Sequence, residues 1–227
     1  MNKAVLAIAI VSTFASPAFA EKSGYYLGLG AGKASYDDAY DKYQDLTEGR
    51  FNNPTVNSFN INSTDKDDLF KLFGGYRFNQ YIAVEIDYTK FSDTSSDLHA
   101  TSAFNSAEFV DGKINNKLQG IGLKTVGFYP ITNSFELKAS VGLMRWDLEE
   151  KSNGEQANIP GVRGLAGGYS STEKGTSLTV GLGANYNIND HFTVGLNWER
   201  INDVGNSKLA FGETDIDTYT ASLQYNF

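Results

Sequence analysis

The feature that most constrains this chain is a series of eight segments in which apolar and polar side chains alternate. A period of two residues is typical of β-strands, because successive side chains point to opposite faces. Each segment has 10 to 13 residues, enough for the about nine to eleven that a tilted strand needs to cross a bilayer. The predicted strands span residues 24–35, 68–78, 81–91, 117–129, 135–147, 176–188, 192–201 and 215–227.

The connections between these segments alternate strictly in length. Three are tight turns, at residues 79–80, 130–134 and 189–191. Four are long and polar, at residues 36–67, 92–116, 148–175 and 202–214. An up-and-down barrel places all long loops on one side of the membrane and all short turns on the other, whereas a soluble sandwich has no reason to do so. The sequence therefore predicts an all-β, eight-stranded antiparallel up-and-down transmembrane β-barrel with four long outer loops and three short periplasmic turns.

The first twenty residues have the pattern of a secretory signal peptide. Lys3 precedes an apolar run over residues 4–14, and Ala18 and Ala20 form a small-residue cleavage site. The run is too short for a membrane-spanning helix. We expect residues 1–20 to be removed and residues 21–227 to form the barrel domain in a Gram-negative outer membrane.

Net charge and cysteine content argue against nucleic-acid binding and against a disulfide-stabilised fold. Without Lys3, 18 basic residues stand against 27 acidic ones, a net charge of −9, which argues against nucleic acid as a partner. An exported chain without cysteine has no disulfides, so its stability must come from an extensive sheet or a large core.

Strand parity separates lipid-facing side chains from those in the lumen. Between residues 81 and 91, Ile82, Val84 and Ile86 fall on one face and Glu85 and Asp87 on the other. Eight strands enclose an interior that side chains can fill, which argues against a wide pore. Buried charges need partners, so we expect a plug of salt bridges and water. Parity places these ionisable residues inside: Lys71, Arg77, Glu85, Asp87, Lys124, Glu136, Lys138 and Glu199.

Several fragments carry a family resemblance. Residues 79–85, 129–132 and 142–146, with the closing residues 225–227, resemble the transmembrane domain of the outer membrane protein A family. The resemblance covers essentially the whole mature chain and implies an eight-stranded outer-membrane barrel. Many family members continue into a periplasmic domain that binds peptidoglycan, whereas the eighth predicted strand ends this sequence. We therefore expect a barrel without that tether.

The same resemblance implies an ion-pair gate in the lumen, whose acidic and basic residues exchange partners. Only Glu85 maps directly onto that gate, because Val126 and Asn197 stand where the family has a lysine and a second glutamate. Lys124 is the replacement candidate and would pair with Glu85. The candidates for lumen salt bridges or a gate are Glu85, Lys124, Lys71, Lys138 and Asp87.

The carboxyl terminus resembles the signal that the barrel-assembly machinery reads, an aromatic residue at the end of an amphipathic strand. Tyr225 and Phe227 are the candidates for this contact. The alternative is that Phe227 is only a lipid-facing residue of the aromatic girdle.

Catalysis and metal binding have little support in the sequence. His99 lies near Asp97 in a long loop, and His191 lies in a tight turn, where solvated polar residues are common. The acidic runs at 37–41 and 65–68 lack the Gly and Glu positions of a calcium loop. We expect no enzyme activity, no cofactor and no metal site.

The expected role is structural or surface-interacting, with slow permeation of small solutes. The alternatives are a small diffusion porin, or an adhesion or serum-resistance barrel acting through its outer loops. The expected partners are outer-membrane lipid and lipopolysaccharide, the barrel-assembly machinery, and a host surface or phage at the loops. We expect a monomer. The cations expected to reach lipopolysaccharide phosphates are Lys113, Lys117, Lys151 and Arg163.

Overall fold

The structure is a computed structural model. It describes residues 23–37, 39, 45, 48–49, 54, 56–63, 66–104, 109–153, 156–157, 168–206 and 209–227. The expected signal peptide and Arg163 lie outside these residues. Within the described part, no helix is long and apolar enough to cross a membrane.

The described residues form eleven strands of one antiparallel sheet. In chain order they are β1 (Gly24–Tyr36), β2 (Val56–Ser63), β3 (Lys66–Asn79), β4 (Ile82–Phe91), β5 (Thr94–Ser102), β6 (Phe109–Pro130), β7 (Phe135–Ser152), β8 (Gln156–Ala157), β9 (Tyr169–Asn187), β10 (Phe192–Asn206) and β11 (Gly212–Asn226).

Eight of these strands close into a ring. Its order is β1, β3, β4, β6, β7, β9, β10 and β11, and β11 pairs with β1 from Tyr26↔Asn226 to Tyr36↔Ile216. Closure leaves the ring without the unpaired edges that an open sheet presents. The ring confirms the predicted eight-stranded antiparallel barrel.

Short polar side chains build the turns at one end of the ring. Asn79 Oδ1 accepts the amides of Tyr81 and Ile82 at 2.8 and 3.1 Å. Asn189 Oδ1 likewise accepts the amides of His191 and Phe192 at 2.9 and 2.8 Å. Asn side chains satisfy turn amides in this way because they are short and carry an acceptor, which is why these connections could be recognised as turns.

The outer connections differ from the prediction, because strand pairing continues into the segments expected to be long loops. β6 begins at Phe109 and β7 ends at Ser152, and β2 and β5 lie wholly within the predicted loops 36–67 and 92–116. We call β2, β5 and residues 109–116 of β6 the projecting sheet.

Apolar side chains form a small core on the buried face of the projecting sheet, among buried Ser and Thr, and this core explains why the sheet forms. Leu98, Ala100 and Val110 are buried there, with Val56 and Ile61 packed against them. The other face carries Asn, Asp, Ser and Thr, and these residues made the segments resemble loops. The alternation was present in the sequence, but turn-forming residue types obscured it.

Strand parity in β4 is as predicted. Ala83 and Thr89 are fully buried and Glu85 and Asp87 are nearly so, whereas the side chain of Ile86 is 56% exposed. The same division on the other strands gives an apolar outer band. At the turn end of this band, aromatic rings pack edge to face. The ring centroids of Tyr225 and Phe227 lie 5.0 Å apart.

Candidate functional site in the closed barrel lumen

Four ionised side chains form a network across the middle of the lumen. Lys124 Nζ on β6 lies 2.8 Å from Asp87 Oδ1 on β4 and also bonds Glu199 Oε2 on β10. Lys71 Nζ on β3 lies 3.1 Å from Glu199 Oε1 and 4.0 Å from Asp87 Oδ2. All four side chains are buried. Two cations and two anions balance, as buried charges require.

Glu85 does not make the predicted ion pair with Lys124. The two residues are cross-strand partners, yet the Lys124 amine turns toward Asp87 and Glu199. Glu85 instead accepts a hydrogen bond from the Tyr26 hydroxyl at 3.0 Å. Two carboxylates close to one ammonium stabilise it better than one, while a tyrosine hydroxyl satisfies Glu85 without a cation.

A second ion pair fills the lumen near the turns. Arg77 Nη1 and Nη2 lie 3.1 and 2.9 Å from the two carboxylate oxygens of Glu136. Asn185 Nδ2 donates to Glu136 at 3.1 Å, and the guanidinium lies 3.9 Å from the centroid of the Phe128 ring. Arg77 also donates to the carbonyl oxygens of residues 79 and 80. A bidentate pair with these extra bonds is among the stronger polar contacts in proteins.

Lys138 lies beside a small cavity between the four-residue network and the pair of Arg77 with Glu136. Among the described residues, no carboxylate is within 4.0 Å of its amine, which lies 5.9 Å from the centroid of the Phe73 ring. The cavity, of about 30 Å³, is lined by Lys138, Glu85, Asn197 and Glu199 among others. This space holds a few water molecules at most. Lys138 and Glu85 line the same cavity with opposite charges, so they balance each other across it.

The outer half of the lumen is apolar, which differs from the expected plug of salt bridges and water. Fifteen buried residues form one cluster in the described chain: Ala34, Tyr36, Ala39, Leu69, Phe91, Ile114, Leu118, Met144, Trp146, Leu148, Ile201, Val204, Leu209, Phe211 and Ile216. We call this cluster the apolar plug. Trp146 Nε1 donates to Ser177 Oγ at 2.8 Å, so its one polar group is satisfied.

Glu150 holds the last segment of the plug in place. Its side chain is completely buried and accepts the backbone amides of Ala210 and Phe211 at 3.1 and 2.9 Å. The Tyr169 hydroxyl donates to the same carboxylate at 2.6 Å. Sequence reasoning missed Glu150 because it fell in a predicted loop. Continuing the parity of Met144, Trp146 and Leu148 by one step would have found it.

The two histidines lie at opposite ends of the molecule. His99 Nδ1 on β5 is 2.5 Å from Asp111 Oδ1 on β6, and both side chains are more than half exposed. His191 stacks on Tyr225 at 5.6 Å between ring centroids. Within the described chain, no cluster of three or more His, Cys, Asp or Glu residues could hold a metal ion.

The assembly-signal candidates lie at the seam of the ring. The backbone amide of Phe227 donates to the Tyr25 carbonyl at 3.1 Å, and the Phe227 side chain is 74% exposed. Tyr225 packs against Phe192 at 5.3 Å between ring centroids. Both aromatic side chains face the lipid side, as either reading of the carboxyl terminus requires.

Comparison with known proteins places this barrel in a family. The chain is 24% identical over 157 residues to outer membrane protein A of Shigella flexneri, covering 68% of this chain and 39% of that protein. The corresponding protein of Yersinia pseudotuberculosis is 24% identical over 169 residues, covering 74% and 42%. The chain therefore spans about two fifths of the length of these relatives.

Two solved outer-membrane proteins are among the structures that this chain matches. Neisserial surface protein A gives a TM-score of 0.48 at 15% identity, covering 90% of this chain and 98% of that one. OprG from Pseudomonas aeruginosa gives 0.46 at 17% identity, covering 90% and 97%. The family model described as outer membrane protein beta-barrel domain matches residues 5–227. The chain therefore belongs to the outer membrane protein β-barrel family, whose place is the outer membrane.

Proposed function

We propose that this protein is a closed barrel with a structural and surface-interaction role, and not an open diffusion pore. The observation that carries the proposal is the filled lumen. The apolar plug occupies the outer half, the Lys71, Asp87, Lys124 and Glu199 network the middle, and the pair of Arg77 with Glu136 the turn end.

Two different barriers in series oppose ion flow. An ion that enters the apolar plug loses its hydration shell, and hydrophobic constrictions of this kind block conduction by dewetting. An ion that reaches the network must then displace a partner from a neutral set of four charges. Permeation of small solutes would be slow, because both barriers must rearrange.

The projecting sheet supports the surface-interaction part of the proposal. It exposes a groove lined by Asn60, Asn62, Asp97, His99 and Asp111, with Lys113 and Asn153 at its side. Recognition residues are commonly carried on segments held by a rigid scaffold, and the barrel supplies that scaffold. A groove of amides and carboxylates suits a partner that offers hydrogen-bond donors or basic groups, such as a host-surface or phage protein.

The remaining parts of the proposal concern catalysis, assembly and oligomeric state. His99 and Asp111 form an exposed cross-strand pair, so we assign them a place in the groove and no catalytic role. Tyr225 and Phe227 are proposed to be read by the barrel-assembly machinery. The protein is proposed to act as a monomer in lipid and lipopolysaccharide.

Planar-bilayer conductance of the refolded mature chain tests the closed-barrel proposal. Folding is first checked by the shift in gel mobility between heated and unheated samples. We expect a folded barrel that conducts no steady current. Steady channels whose conductance changes with Glu85→Ala would contradict the proposal and favour a diffusion porin with a gate in the lumen.

Cell-surface binding tests the projecting sheet. The triple variant Asn60→Ala, His99→Ala and Asp111→Ala removes three of the groove's hydrogen-bonding side chains, and its binding to host cells and phage is compared with wild type. The control is Glu149→Gln with Lys151→Gln, an exposed pair on β7 outside the groove. We expect binding to fall in the groove variant alone. Equal binding by all three proteins would contradict a role for the groove.

A further inference from the structure

Two cations just beyond the apolar outer band have no acidic partner among the described residues. They are Lys90 on β4 and Arg145 on β7, and both side chains are exposed on the outer face of the ring. Neither lies within 4.0 Å of a described carboxylate. Each stands two residues farther from the turns than a band residue of the same strand, Tyr88 or Leu143.

The other outward cations of this region are neutralised. The amine of Lys117 lies 3.4 Å from Asp93, and that of Lys113 lies 3.2 Å from Asp97. Lys151 pairs with Glu149 at 2.7 Å. These are three of the four cations that the sequence suggested for phosphate contacts, and their acidic partners weaken that role. The two cations of this region without a described acidic partner, Lys90 and Arg145, are not among those four.

Strand register brings Lys90 and Arg145 to the two sides of β6. Lys90 is paired with Gln119, and Arg145 is paired with Ile121, the next outward-facing residue of β6. With strands about 4.8 Å apart and about 3.4 Å per residue, their Cα atoms lie about 12 Å apart. Long side chains from both positions reach a group placed between them over β6.

Gln119 supplies a third donor between the two cations. Its Oε1 accepts the Tyr88 hydroxyl at 2.9 Å, which orients the amide and leaves its NH2 group available as a donor. Below it, Ile121 is 56% exposed toward lipid. The ammonium, the guanidinium and the amide thus surround a point directly above an apolar floor.

The described acids near these cations are already paired: Asp68, two residues from the Lys90 partner Phe70, lies 2.5 Å from the amine of Lys33. Asp147 is the cross-strand partner of Gln119, but its carboxylate pairs with Lys174 at 2.6 Å. The patch of Lys90, Arg145, Lys174 and Asp147 therefore carries a net charge of +2 on a mature chain of −9. An anion is the group that this patch lacks.

We propose that Lys90, Gln119 and Arg145 form a binding site for a phosphate group of an outer-leaflet glycolipid of the lipid A type. Arginine and lysine are the common phosphate ligands in proteins, and the amide adds a neutral donor. Acyl chains of the same lipid lie along Ile121, Leu123 and Leu143. The hydrogen-bond donors of the site adjoin the apolar surface of Ile121. The ligand that fits both is therefore a molecule that carries a phosphate group and acyl chains.

Native mass spectrometry of the detergent-solubilised barrel with diphosphoryl lipid A tests this site. Attraction to an anionic lipid surface is worth about 1 kcal/mol per cation, so each removal should weaken binding about fivefold. Lys90→Gln with Arg145→Gln should weaken it about 25-fold on the same basis. The control, Lys117→Gln with Lys151→Gln, makes an equal charge change at paired cations and should bind within about twofold of wild type.

The lipid is also varied. Fully dephosphorylated lipid A should bind wild type about as weakly as the phosphorylated lipid binds the double variant. Binding by the double variant equal to wild type, an equal loss in the control, or equal binding of the phosphate-free lipid would each overturn the site. Full displacement of lipid A by inorganic phosphate would overturn the lipid assignment. Both side chains face outward, so heat modifiability should persist, and the result does not depend on whether the lumen conducts.

Discussion

Removing the cation at the centre of the lumen network should destabilise the barrel strongly. Lys124 is 3% exposed and contacts both Asp87 and Glu199. In Lys124→Met, Lys71 is left with two carboxylates, which it meets at 3.1 and 4.0 Å. Breaking a buried pair by removing one partner costs about 3–5 kcal/mol, and we expect a loss of that size.

The double variant Lys124→Met with Glu199→Gln separates charge imbalance from lost packing. It returns the network to one cation, Lys71, and one anion, Asp87. Replacing both partners of a buried pair is often nearly neutral, so we expect a loss of about 1 kcal/mol and a coupling energy of at least about 2 kcal/mol. Additive single losses would show that the four charges do not act as one network.

Urea unfolding in lipid vesicles measures these free energies, with fluorescence of the two tryptophans as the signal. Lys117→Met is the matched control, because Lys117 is an exposed lysine 3.4 Å from Asp93 and such pairs contribute about 0–1 kcal/mol. A loss below about 1 kcal/mol for Lys124→Met, equal to the control, would refute the argument from burial.

Three further predictions concern the outer half of the lumen. Glu150→Ala removes the carboxylate that accepts the backbone amides of Ala210 and Phe211; we expect faster hydrogen exchange at those amides by NMR, and unchanged exchange would contradict the assignment. Burial raises the pKa of Asp67, at the outer end of β3 beyond the apolar band. Its ionisation therefore costs stability as pH rises, so Asp67→Asn should raise the urea midpoint at pH 7 but not near pH 3. Gly175→Ala places a methyl group against the Trp146 indole and should cost about 1–3 kcal/mol, with altered near-ultraviolet circular dichroism.

The ring and its facing pattern could be predicted because their causes are local. Lipid on one side and the lumen on the other require alternation along each strand, so Glu85 and Ile86 reveal their directions as neighbours in sequence. Bilayer thickness sets strand length, and Asn79 and Asn189 mark the turns. None of these features depends on which strands meet across the barrel.

Which acidic and basic residues pair inside the lumen could not be predicted, because the pairing depends on geometry across the ring. Lys124 and Glu199 lie on β6 and β10, which are separated by β7 and β9. Sequence parity places both residues inside without giving the relative heights of distant strands. The family resemblance pairs Lys124 with Glu85, whereas the amine binds Asp87 and Glu199.

The net charge of the lumen differs from that of the outer surface. The eight ionisable residues assigned to the lumen include four basic and four acidic ones, so the net charge of the sequence, −8, comes from its other residues. Most of this excess falls in the outer connections, which face a leaflet of anionic glycolipid. Such a surface repels lipid phosphates on average. The proposed site of Lys90 and Arg145, at the border of the apolar band, would supply local positive charge for contact with that leaflet, whereas the acidic surface above would suit partners of opposite charge.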